Sequence, residues 1–138
     1  MGLKRLKDWP ERLNTLIELN RFKEFKWGEH DCLLFAAKAI KATTGIDYTQ
    51  EYIYSYSDKE EADQEILRLG AKDLKDFITN VLGKPLSNPH LASRGDIVVV
   101  RLDYGIAAGV CIGARAATPS AKGLVFIHLA KWEMAWRV

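Results

Sequence analysis

The sequence predicts an α+β fold in a single domain spanning residues 1–138, with helices first and an antiparallel sheet after them. Two observations carry this. Up to about residue 83 the apolar residues recur at helical spacing between capping residues and glycines; from Asp96 onward they fall in short, β-branched or small-residue runs separated by turn signals. Within the helical part, "CLLFAAKAI" (Cys32–Ile40) is apolar on nearly every side, with Lys38 its only charge, so it belongs at the centre of a core rather than on a surface.

The elements follow in order. "DWPERLNTLIEL" opens a helix, with Asp8 as cap, Pro10 in its first turn and Glu11 three residues after Asp8 as in a capping box. Leu13, Leu16 and Ile17, with Leu6 before them, supply its apolar stripe. "FKEFKWG" reads as a loop with aromatic anchors. Asp31 is the next N-cap, which places Cys32 at the first helical position, and Gly45 closes that helix. "YTQEYIYSYS" alternates poorly and reads as a loop or short helix. "SDKEEADQEILRLG" is a surface helix with a solvated acidic face, and "DLKDFITNVLG" another; "KPLSNPHLASRGD" is a connector. "DIVVVRL", "IAAGVCIG", "ARAAT", "GLVFIHL" and "MAWRV" form an antiparallel meander, with Trp132 and Trp136 closing one end and Asp96 fixing the turn into the first strand.

Composition narrows the function classes. A net charge of +2 argues for neither a nucleic-acid partner nor a membrane surface. No apolar run approaches the ~20 residues of a membrane span, and no secretory signal is read at the N-terminus, so synthesis in the cytoplasm with reduced thiols is expected. The two cysteines and three histidines lack metal-ligand spacing, and no metal or cofactor is expected.

The chemistry centres on "WGEHDC" (Trp27–Cys32). A cysteine at a helix N-terminus meets unpaired N–H groups and the helix dipole, which favour its thiolate and make Cys32 a candidate nucleophile, more reactive than Cys111. The competing reading is an inert thiol filling a core. His30 is the nearest candidate base, read otherwise as an exposed loop histidine. His128 is expected at a sheet edge and His90 on the surface. Cys111, about 13 Å along its strand from Ala107, reads as a core thiol not bonded to Cys32. Trp27 and Asp31 are candidate binding residues, Trp27 beside Phe25 as a loop anchor and Asp31 first of all as a cap.

The order of Asp31-Cys32, Gly95-Asp96, the run Ala107–Gly113 ("AAGVCIG") and the run Ala116–Ser120 ("AATPS") resembles the NlpC/P60 group over residues 27–138. That group comprises papain-like cysteine peptidases and amidases, many of which cut peptidoglycan stem peptides. Over the whole chain, "DWPERL", the "HDC" segment, "RGD", "GLVF" and "AWRV" resemble a family of small, uncharacterised prophage proteins similar to those of tailed-phage tail-assembly clusters. The resemblance implies a papain-like fold whose Cys-bearing helix packs on a sheet or half-barrel. It implies Cys32 as nucleophile, phage tail proteins or cell-wall peptide as partners, and incorporation into a phage particle. The group's catalytic histidine falls at Ala107, and the polar residue that orients it at Ala116 or Ala117. Alanine can neither activate a thiol nor protonate a leaving amine. The sequence therefore predicts a non-catalytic tail-assembly or host-interaction module. The alternative is a cysteine hydrolase or amidase in which Cys32 uses an unorthodox base such as His30.

Overall fold

The computed structural model describes residues 3–50 and 55–138. Among these residues the chain forms four α-helices, α1 (Trp9–Asn20), α2 (Cys32–Thr44), α3 (Lys59–Arg68) and α4 (Leu74–Leu82). A five-stranded sheet follows: β1 (Ile97–Leu102), β2 (Gly105–Cys111), β3 (Arg115–Ser120), β4 (Gly123–His128) and β5 (Trp132–Trp136). The α+β class and the succession of elements agree with the sequence. The stretch read as a loop or short helix falls partly on residues 51–54, outside the described residues; its flanks are irregular.

Two local expectations need correction. Asp8 precedes α1 but makes no side-chain capping bond. Its backbone lies outside the extended region that an N-cap needs, and its carboxylate turns to Arg12 at 2.9 Å instead. The sheet is also not a simple meander. β1 to β4 run consecutively, but β5 pairs with β1, giving the antiparallel order β4-β3-β2-β1-β5. Only three residues, Leu129–Lys131, join β4 to β5. In a flat sheet these strands would lie about 19 Å apart, four spacings, whereas the link reaches at most about 14 Å. The sheet must therefore curl, and the Trp132 indole N–H donating to Ile127 O at 3.1 Å ties its two edges together.

The α2 sequence meets its expected place. Leu34, Phe35, Ala36, Ala39 and Ile40 are buried, and the helix packs on β2 and β3. Its core partners are Ile97, Val99, Ala108, Val110, Ala117 and Trp136 from one sheet face, with Leu13 and Ile17 of α1. The other face carries Val98, Val100, Ala107, Cys111, Ala116 and Ala135, covered by Trp132 and by Leu86 and Ala92 of the connector. Cys32 packs against both groups, which places it where the two faces meet.

Asp96 does more than set a turn. Fully buried, it accepts from Ser93 N at 2.9 Å, from Arg5 Nη2 at 3.0 Å and from the Val138 amide at 3.0 Å. Arg5 continues to Val138 O at 2.9 Å and Arg94 O at 2.7 Å. One carboxylate thus clasps the N-terminal segment, the start of β1 and the C-terminal residue. No helix among the described residues is long and apolar enough to cross a membrane.

Candidate functional site

The site begins with Asp31. Its carboxylate caps α2 through Leu34 N at 2.9 Å, accepts from Gly28 N at 2.9 Å, and accepts from the Tyr56 hydroxyl at 2.6 Å. The cap holds the first turn of α2 and fixes Cys32 at its start. Tyr56 went unnoticed in the sequence because it stands in a run with no clear period; an aromatic hydroxyl just before the "SD" cap of α3 was the only signal.

From Cys32 a cleft of about 860 Å³ opens. Phe25, Trp27, Leu33, Ile66 and Phe77 supply apolar wall, and Ala107 lies with Cys32 among the lining residues. Trp27 meets Phe25 edge-on, ring centroids 4.8 Å apart, so the loop anchors are also cleft walls. The exposed Leu67, Leu69, Tyr104 and Ile106 border the same cleft.

The cleft exists because β2 and β3 part company. They pair only at Val110–Ala117 and Cys111–Ala116. Beyond that, β2 stays with β1 as far as Gly105, and β3 with β4 as far as Ser120. Pro119 supplies the reason: with no N–H, it cannot donate to Ala108 O, the next acceptor in the ladder. The Thr118 hydroxyl takes that carbonyl instead, at 2.7 Å. The Ala108 N–H, left without a β3 partner, favours the thiolate form of Cys32. Gly109 permits the closest approach before the split, since a Cβ there would lie 2.6 Å from Ala117 O. The proline was visible in "TPS", and a proline inside a strand is a ladder-breaking signal.

Burial dominates the chemistry of Cys32, pushing its thiol up to about 11. The amides of Ala108, Leu33 and Cys32 favour the thiolate and the Asp31 charge opposes it; together they do not offset the loss of water. The expectation that the helix start makes Cys32 a thiolate is therefore corrected. Cys111 is fully buried, donates to Gly113 O at 3.2 Å and is also raised, first by burial; both cysteines are free.

His30 is not an exposed loop residue. A tight turn, with Lys26 N to His30 O at 2.9 Å and His30 N to Lys26 O at 2.7 Å, folds it inward until only 1 % of its surface remains exposed. Its ring stands edge-on to Phe35 at 5.9 Å, and neither ring nitrogen has a hydrogen-bond partner among the described residues. The structure thus makes no His30–Cys32 bond. Burial first, then the Lys38 and Lys23 charges, lower its pKa to about 4. His128 lies exposed on edge strand β4, its Nδ1 accepting from Ala130 N, and His90 is exposed beside Trp132. Ala116 and Ala117 are fully buried, face opposite sides of the sheet and are absent from the cleft lining, where Pro119 and Ser120 stand. Among the described residues no group of three or more His, Cys, Asp or Glu is arranged to hold a metal ion.

Residues 4–138 match the family model described as a domain of unknown function, DUF6950. The chain belongs to the DUF6950 family. No curated protein matches it. The family assignment covers the capped cysteine, the divided strands and the clasp at Asp96 alike, so the whole arrangement lies within one DUF6950 domain.

Proposed function

We propose that this DUF6950 domain is a papain-like, NlpC/P60-type scaffold of phage or prophage origin that serves as a non-catalytic tail-assembly or host-interaction module. The single observation that carries the non-catalytic reading is the pairing of Cys32 with Ala107 in one cleft. The cysteine stands where the resemblance puts a nucleophile, and a methyl group stands where it puts the base. A thiol nucleophile needs a neighbouring group to take its proton and later to protonate the leaving amine. Cys32 is held as the neutral thiol, and neither His30 nitrogen bonds to it among the described residues. The hydrolase reading with His30 as base draws no support from this geometry. In the proposed role the chain is made in the cytoplasm and joins a phage particle.

The test is exposure of purified protein to peptidoglycan stem peptides, with products read by mass spectrometry. Wild type is expected to leave them uncut. Ala107→His is expected to yield weak cleavage that a further Cys32→Ala removes, because members of a catalytic unit act together. Robust cleavage by wild type, lost in both Cys32→Ala and His30→Ala, would overturn the proposal and make His30 the base.

A further inference from the structure

The parting of β2 from β3 leaves main chain, as well as apolar surface, open to a partner. Cys111 N donates to Asp96 O, and Cys111 O accepts from Gly95 N, so the odd-numbered residues of β2 turn their main chain toward β1. Val110, Ala108 and Ile106 therefore turn theirs toward β3. Val110 is paired there with Ala117, and the Ala108 carbonyl is taken by the Thr118 hydroxyl. Ile106 has no main-chain partner on that side among the described residues. An open N–H and C=O on one strand residue is the recognition element of strand addition.

Charge indicates which kind of molecule fits. Of the charged side chains lining the cleft, Lys59 pairs with Asp63, Glu65 pairs with Arg68, Asp73 caps α4 and Asp31 is held as described. Glu24 and Lys72 remain without an ion pair among the described residues and offset each other, while Asp31 and Asp73 are held by neutral donors only, so the lining keeps a negative surplus. A cleft whose charge surplus is negative disfavours an anionic lipid or a nucleotide and admits a neutral chain with alternating donors and acceptors.

We propose that the opening between β2 and β3 docks an extended apolar segment of a partner polypeptide, which pairs with Ile106 as an added strand and sets a side chain into the cleft over Cys32. This rests on the proposed role as a non-catalytic interaction module and names the partner's chemistry.

The experiment selects peptides from a random displayed library against the intact protein, then compares each binder with its copy N-methylated at alternate residues. Binders are expected to alternate apolar residues and to lose about tenfold in affinity when the pairing amides are methylated, as loss of paired main-chain bonds demands. They are also expected to slow hydrogen exchange at the Ile106 amide, and to bind poorly to Ile106→Pro and to the exposed-rim variant Leu67→Glu. Several results would overturn the docking site: no enriched peptide, affinity indifferent to methylation, or decanoate alone protecting Ile106 and displacing the peptides. Cleavage of a bound peptide, abolished by Cys32→Ala, would overturn the non-catalytic reading and leave the docking site standing. Uncut stem peptides together with no enriched peptide would do the reverse.

Discussion

His30 carries the sharpest pH dependence among single residues. Unfolded, its imidazole takes a proton below about 6.5; folded, it resists until about 4. The unfolded state therefore binds more protons across that window, and the stabilisation present above 6.5 is lost as the pH falls to about 4. The loss is roughly 3 kcal/mol. His30→Phe keeps an aromatic ring beside Phe35 and removes the titration. Urea unfolding of both proteins should show the variant gaining on wild type as the pH drops from neutral, and parallel pH curves would refute the argument. The sequence showed His30 beside a cap but not its burial, because burial depends on a turn closed by two backbone bonds that no side chain announces. Cys32 shows the complementary case: its position at a helix start was legible, but its protonation is decided by packing against two sheet faces that only the fold brings together.

At the scale of elements, one residue sets the α2 start and one the strand parting. Asp31→Ala removes a cap and leaves the buried Tyr56 hydroxyl without its acceptor, so a loss of about 2–4 kcal/mol is expected in thermal or chemical unfolding. Tyr56→Phe, which leaves the cap intact, should cost less. Thr118→Val removes the hydroxyl that donates to Ala108 O in the protein interior and should cost about 1–2 kcal/mol; no change in stability would mean that the strand parting needs no such substitute partner. Helices α2, α3 and α4 were readable because their caps and glycines are local signals. The place of β5 was not: "MAWRV" announces a strand, but its pairing with β1 follows from the curl of the whole sheet. Pro119 likewise announced a broken ladder without saying which strand it would release.

The whole molecule is closed by Asp96, where the chain's two ends meet β1. Asp96→Ala would leave Arg5 without its carboxylate and the Val138 amide without its acceptor, at a cost of roughly 3–5 kcal/mol. Calorimetry should show one transition moved far down in temperature, and a near-native melting temperature would show the clasp to be dispensable. The same closure brings the capped cysteine of α2 against the parted strands and so creates the cleft. The central claim about that cleft is that no imidazole bonds to its thiol among the described residues. The most direct test is the rate of Cys32 alkylation by iodoacetamide across pH, read by mass spectrometry on the native protein, with Cys111 as an internal buried reference. The account predicts a Cys32 rate that is low at neutral pH and climbs without a plateau toward about pH 11. A plateau at or below neutral pH that His30→Ala abolishes would reveal a thiolate–imidazolium pair and contradict it.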